Sequence, residues 1–150
     1  MSTESPSRPP RARVAPWVVL ASAATLLIGC AQQGPTGSRE RVFAADLVGM
    51  ARKCVAEAPT INDGQAAQMT MTLANDGGWC GVFLSRSGRP YDSALMATRP
   101  NRGKIVVNRV GDRTRIAYTP NQGFVGSDSF SVKLIPGDAE VKVTVTVSAN

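Results

Sequence analysis

The sequence contains no histidine, and only 5% of its residues are aromatic. Histidine is the commonest general base beside a catalytic nucleophile and a common metal ligand, so its absence argues against both kinds of site. The 11 acidic residues show no pairing typical of a glycosidase, and no motif indicates a Ser–Lys dyad. We therefore expect a protein without catalytic residues, a metal site or a cofactor.

The chain also lacks the features of a nucleic-acid-binding protein. Its formal net charge is +6 over 150 residues, and no recognisable reader motif accompanies that charge. A net charge of this size bears on solubility and on attraction to anionic polymers rather than on fold. We expect no nucleic acid among the partners.

No apolar run is long enough for a typical transmembrane helix. The longest, residues 14–28, has 15 residues, whereas a bilayer span needs roughly 20. Three arginines, Arg8, Arg11 and Arg13, precede it, and a cationic segment followed by a short apolar segment is typical of a secretory signal. A membrane-spanning anchor is the alternative that this length disfavours. Residues 1–29 are therefore predicted to be a signal peptide.

The apolar run ends in Leu27-Ile28-Gly29-Cys30, which resembles the lipobox of bacterial lipoproteins. The resemblance implies cleavage before Cys30 and acylation of its thiol and its new amine, so that the membrane is a partner through a lipid anchor. Ala31 stands where Asp signals retention in the inner membrane, which favours the periplasmic face of the outer membrane. The polar residues 31–41 are predicted to be a flexible tether.

Cys54 and Cys80 remain as a pair once Cys30 is assigned to lipid. In an oxidising compartment such a pair is expected to form a disulfide bond. The bond would close a loop of about 25 residues and stabilise the domain by about 3 kcal/mol. A metal site or a redox pair is the alternative, but the chain has neither histidine nor a C-x-x-C motif.

Apolar and polar residues alternate in six segments after residue 65, with Gly-, Asn-, Asp- and Pro-containing turns between most of them. The residues predicted to face inward are Met69, Met71 and Leu73; Cys80, Val82 and Leu84; Ile105 and Val107; Ile116 and Tyr118; Phe130, Val132 and Leu134; and Val141, Val143, Val145 and Val147. Alternation with a period of two is typical of half-buried strands. Six or seven such strands predict an all-β sandwich.

The residues before these strands are less regular. Phe43, Leu47, Met50 and Cys54 recur at helical spacing and predict a short amphipathic helix that ends before Pro59. An extended first strand over residues 53–61 is the alternative. The predicted organisation is a signal peptide over 1–29, a lipidated tether with a short helix or first strand over 30–60, and a sandwich over 61–149.

Three segments carry a resemblance to a known family: Arg99–Val106 with Pro100 and Gly103, Tyr118-Thr119-Pro120, and Gly123–Phe130, followed by Val143–Val147. Together they resemble the repeat unit of bacterial cadherin-like or immunoglobulin-like (Ig-like) surface domains over residues 98–148. The resemblance implies an Ig-like β-sandwich of about seven strands. Its motif residues are Tyr118, Pro120, Gly123, Phe124, Gly126, Asp128 and Phe130.

Most of these motif residues are expected to have structural roles. Tyr118 would bury its ring near a corner of the sandwich, and the glycines would permit backbone angles that a Cβ atom disfavours. Asp128 is expected to cap a turn, with calcium binding as the alternative that the resemblance brings. Such domains usually occur in tandem arrays and only one is found here, so a role as an adhesin spacer does not carry over.

Basic residues are concentrated between residues 86 and 115, where only Asp92 and Asp112 offset them. They are Arg86, Arg89, Arg99, Arg102, Lys104, Arg109, Arg113 and Arg115. A solvated face is one interpretation, and a patch for an anionic envelope polymer or another envelope protein is the other. Trp79 is likewise open to two interpretations, as a ring packed on the disulfide or as an exposed binding aromatic.

These features predict a lipid-anchored envelope protein whose domain is a non-catalytic binding or scaffolding module. The alternative is a purely structural or protective envelope protein without a dedicated ligand. The two hypotheses differ in whether the basic stretch binds anything.

Overall fold

The computed structural model describes residues 42–150. The predicted signal peptide, the lipidation site Cys30 and the tether over 31–41 lie outside the described residues. Within residues 42–150, no helix has both the length and the apolar character needed to cross a bilayer.

Eight strands follow a single turn of 3-10 helix at Ala44–Leu47. The strands are β1 (Cys54–Ala56), β2 (Ala66–Ala74), β3 (Cys80–Leu84), β4 (Ser93–Thr98), β5 (Gly103–Val110), β6 (Arg113–Pro120), β7 (Gly126–Ile135) and β8 (Ala139–Ser148). The prediction of an all-β fold is confirmed, with eight strands instead of about seven.

The strands form two sheets. One has five strands in the order β1-β2-β8-β7-β4, and the other has three in the order β3-β6-β5. The pairing between β2 and β8 is parallel and continuous, from Ala66 opposite Glu140 to Ala74 opposite Ser148. The other strand pairs are antiparallel. The first long strand and the last strand of the domain therefore lie side by side at the centre of the larger sheet.

The core lies between the two sheets and is built from the alternating apolar residues. Nearly all the side chains predicted to face inward are buried, among them Met71, Leu73, Ile116 and Val145, while Ile105 and Val107 on the edge strand β5 are half-buried against the same core. Burying one such side chain contributes about 1.5 to 3 kcal/mol. The alternation identified the core face because one side of each sheet meets the other sheet and the opposite side meets solvent.

The amphipathic helix predicted from Phe43 to Cys54 does not form. One 3-10 turn is present, after which the chain is extended and enters β1, where Cys54 pairs with Leu73 of β2. Phe43 and Met50 are exposed, so the spacing did not reflect a buried helical face. The alternative of a first strand describes this part better, and the sandwich includes residues before the predicted boundary at 61.

Candidate binding surface

The structure divides the basic stretch between the two ends of the sandwich. Strand β5 runs from one end to the other, with Lys104 near its start and Arg109 near its finish. Five residues of strand separate these two side chains, a distance of about 17 Å. The basic residues therefore do not form one continuous patch, although they are close in sequence.

At one end two of the four basic side chains are paired with acidic ones. Arg86 forms a hydrogen-bonded ion pair with Asp63, and this hydrogen bond lowers the pKa of the Asp63 carboxyl. Arg109 lies 3.4 Å from a carboxylate oxygen of Asp92 and donates to its backbone oxygen. The other basic residues at this end are Arg89 and Arg113. Much of the positive charge here is compensated locally.

Three basic residues surround the loop between β4 and β5 at the opposite end. Arg99, Arg102 and Lys104, which we call the loop cluster, are all exposed. Within residues 42–150 none of the three forms an ion pair with an acidic side chain. The Arg102 guanidinium lies over the ring of Phe124, 6.0 Å from its centroid. Among residues 42–150 these three residues are the largest group of exposed cations in the basic stretch without an acidic partner.

Asp128 holds the loop that carries this cluster. Its carboxylate accepts hydrogen bonds from the backbone amides of Asn101 (3.0 Å), Arg102 (2.8 Å) and Ser129 (2.9 Å) and from the hydroxyl of Tyr118 (3.0 Å). Burial alone would raise the pKa of the Asp128 carboxyl, but these four donors outweigh it and hold the pKa below the ordinary value of 3.8. Asp128 thus holds the loop between β4 and β5 and fixes the backbone of Arg102.

Tyr118 connects this cap to the core. Its side chain is fully buried, and its ring stacks on Phe130 with 6.0 Å between the ring centroids. Burial raises the pKa of its hydroxyl, so the group donates to Asp128 over the whole physiological range. Gly103 lies directly against the ring, where a Cβ atom would overlap it. A glycine is therefore required at position 103 because the Tyr118 ring lies so close to the backbone, and not because of the backbone angles there.

The remaining motif residues shape the same end of the sandwich. Pro120 closes β6 opposite Gly103, and Phe124 packs partly against the core. Gly123 and Gly126 have φ angles of +75° and +134°, in the region that favours glycine. The side-chain amide of Asn75 donates to the carbonyls of Asn121 and Phe124 and so ties the loop over 121–125 to the neighbouring one. No local pattern in the sequence predicts this role of Asn75, because its partners lie 46 and 49 residues away.

Trp79 packs against the residues that precede the first strand. We call residues 42–50 the strap. The indole nitrogen of Trp79 donates to the carbonyl of Val48 (2.9 Å), and Arg115 lies 4.5 Å from the ring centroid and donates to the carbonyl of Asp46 (2.6 Å). Trp79 is half-buried, and Arg115 is occupied by the strap. The structure thus places this member of the basic stretch in a structural contact.

Cys54 and Cys80 are joined by a disulfide bond, with 5.3 Å between their Cα atoms. The bond connects β1 of the larger sheet to β3 of the smaller one across the core. The expectation drawn from the cysteine count is confirmed for this pair. Among residues 42–150 no three or more His, Cys, Asp or Glu side chains are grouped so that they could hold a metal ion.

The two-sheet arrangement, with the first long strand parallel to the last, defines an Ig-like β-sandwich. The chain belongs to the bacterial Ig domain family, whose model matches residues 51–148. A comparison with curated proteins found no match. Domains of this family are generally binding or structural modules without enzymatic activity, at the cell envelope or surface.

Proposed function

We propose that this chain is a lipid-anchored envelope protein whose Ig-like domain binds an anionic envelope polymer through the loop cluster. The observation that carries the proposal is the exposure of Arg99, Arg102 and Lys104 around one loop, without an acidic partner among residues 42–150. Arginine suits phosphate and carboxylate groups because its guanidinium donates two parallel hydrogen bonds.

The rigid support of the loop adds to this proposal. Asp128 fixes two backbone amides of this loop, those of Asn101 and Arg102, so the loop does not need to become ordered when it binds. A preorganised loop loses less conformational entropy on binding than a mobile one. A domain without a ligand would benefit from the same support. The binding measurement therefore decides between a binding module and a purely structural protein.

Changing Arg99, Arg102 and Lys104 together to Gln is expected to weaken binding to lipopolysaccharide or peptidoglycan fragments roughly tenfold or more. Wild-type binding should itself weaken between 50 and 150 mM salt, because exposed charges are screened over about 8 Å at physiological ionic strength. Titration calorimetry with the chain from residue 31 onward measures both effects. Stability should change by less than about 0.5 kcal/mol for each exposed position.

The matched control changes Arg86, Arg89 and Arg109 to Gln at the opposite end. Both triple variants lose three positive charges, so a difference between them reports the position of the charge and not the net charge. We expect the control to retain binding within about threefold of the wild type. Equal losses in both variants would contradict the proposed site, and no binding to either polymer at low salt would favour the purely structural alternative.

Cys30→Ser is expected to abolish incorporation of a palmitate analogue and to leave the uncut 15.8 kDa precursor. The reason is that lipidation requires the thiol, and cleavage of a lipoprotein follows lipidation. Metabolic labelling with detection by mass spectrometry measures both changes. Cys54→Ser is the control and should label normally, because Cys54 belongs to the disulfide. A wild-type chain that takes up no label would contradict the lipid anchor.

A further inference from the structure

The strap exposes most of its apolar side chains. The exposed fractions are 61% for Phe43, 37% for Leu47, 76% for Val48 and 39% for Met50. Single exposed apolar residues are ordinary, but four within eight consecutive residues form a local apolar surface. Apolar side chains that stay in contact with water contribute nothing to the stability of the isolated domain.

The way the strap is attached explains why these side chains remain free. Trp79 and Arg115 contact it through the backbone carbonyls of Val48 and Asp46. The amide of Ala51 donates to the carbonyl of Trp79 at 2.8 Å, and Met50 forms an isolated β-bridge with Trp79. Trp79 and Arg115 therefore hold the strap mainly through the main chain of the strap. The side chains of Phe43 and Val48 point away from the core.

The sequence on either side of the strap carries more basic than acidic residues. Residues 39–53 contain four basic residues, Arg39, Arg41, Arg52 and Lys53, and two acidic ones, Glu40 and Asp46. The Asp46 carboxylate accepts a hydrogen bond from the Phe43 amide. Apolar side chains bordered by Arg and Lys are the combination that favours insertion at an anionic lipid surface.

The strap also lies close in sequence to the lipidation site. Thirteen positions separate Cys30 from Phe43, which reach at most about 45 Å when extended. As a flexible coil the same length spans roughly 20 Å. An anchored molecule therefore holds the strap at a high effective concentration beside the bilayer, and insertion needs little affinity of its own.

We propose that the strap docks on the anionic lipid surface to which Cys30 is anchored, with Phe43, Leu47, Val48 and Met50 inserted among the headgroups. The inference rests on the lipid anchor in the proposed function. The strap is bonded to Arg115 of β6, so docking turns this side of the three-stranded sheet toward the bilayer. The domain then has a fixed orientation on the membrane.

Two methionines of nearly equal exposure provide the measurement. Met50 on the strap is 39% exposed, and Met96 on β4 of the other sheet is 42% exposed. The acylated full chain is reconstituted in vesicles of phosphatidylcholine with phosphatidylglycerol and treated with dilute peroxide, which oxidises accessible methionine. Peptide mass spectrometry then gives the two rates. We expect Met50 to be oxidised at least fivefold more slowly than Met96.

Phe43→Ser combined with Val48→Ser should bring the two oxidation rates to within about twofold of each other, since the inserted apolar area is largely removed. Both residues are exposed, so the sandwich should keep its stability. Leu95→Ser is the matched control, because Leu95 is an exposed apolar residue on β4. It should leave Met50 protected.

Flotation of the same vesicles separates this inference from the anchor. Protein that floats with the vesicles and shows equal oxidation of Met50 and Met96 overturns the docking and leaves the anchor intact. Protein that does not float and shows equal oxidation overturns both. Protection of Met50 in native membranes but not in pure lipid vesicles also overturns the proposal, because a partner protein would then cover the strap.

Discussion

Replacing both Cys54 and Cys80 with alanine is expected to lower the free energy of unfolding by about 3 to 4 kcal/mol, the value that chain entropy gives for a loop of this length. The sequence separation is 26 residues, and the bond ties the three-residue strand β1 to the smaller sheet. Cys80 is fully buried, so its truncation also removes packing contacts. A domain of this size has a total stability of roughly 5 to 15 kcal/mol, so the loss is a large share.

Urea denaturation of the wild-type and double-alanine chains measures this effect. The reduced wild-type chain is the control, because it lacks the covalent bond but keeps both sulfur atoms in place. We expect it to lose somewhat less stability than the alanine variant. The oxidised and reduced chains have the same folded contacts apart from the S–S bond. A difference below about 1 kcal/mol between their free energies of unfolding would therefore contradict the expectation.

Asp128→Ala is expected to destabilise the domain by about 2 to 4 kcal/mol. Asp128 is 7% exposed, and its carboxylate accepts four hydrogen bonds. Its removal leaves the Tyr118 hydroxyl and the amide of Arg102 without their acceptor, and each unsatisfied buried donor costs about 1 to 3 kcal/mol. Ser127→Ala is the control, because Ser127 is exposed on the same strand. A loss below about 1 kcal/mol would show that water replaces the carboxylate.

The same carboxylate should make stability depend on pH. The pKa of Asp128 is lower in the folded protein than its ordinary value of 3.8, so the unfolded chain binds the proton more readily. The stabilisation is therefore fully present above about pH 4 to 5 and is lost as the pH falls through the folded pKa. Unfolding curves of wild type and Asp128→Asn between pH 2 and 7 measure it. Their stabilities should converge at the acidic end, and parallel curves would contradict this assignment.

The central strands could be predicted from the sequence because each has one buried and one solvated face. Met69, Met71 and Leu73 are buried in β2 with exposed residues between them, so the period of two is visible in the residue types. The same holds for Val141 to Val147 in β8. The parallel pairing of these two strands was not predictable in this way, since it joins residues about 74 positions apart and leaves no local pattern.

The edges of the sheets explain the strands that were not predicted. Strand β4 lies at the edge of the larger sheet, and Ala94 is its only partly buried residue. Its sequence therefore shows no alternation of apolar and polar residues. At the strap, Phe43, Leu47 and Met50 have the spacing of a helical face but nothing to pack against, and one 3-10 turn results. Apolar spacing predicts a helix only where the spaced residues are buried together.

The candidate site was predictable in its residue types but not in its grouping. Asp128 was expected to cap a local turn, but two of its backbone donors, the amides of Asn101 and Arg102, lie 27 and 26 positions away, so no local pattern in the sequence predicts them. Its bond to Tyr118 pairs two motif residues only ten positions apart. The division of the basic residues between the two ends depends on the strand register of β5 and β6. A count of charges along the sequence does not reveal this register.

The disulfide also sets the path that tension takes through the domain. When the chain is pulled between its N-terminal side and Asn150, the force enters at Cys54 and crosses directly to Cys80. The covalent path therefore bypasses residues 55–79, including all of β2, and load reaches β2 only through its hydrogen bonds to neighbouring strands such as β8. That segment would otherwise add roughly 80 Å to the extended chain. Under tension the rest of the domain can therefore unravel while residues 54–80 stay a closed covalent loop.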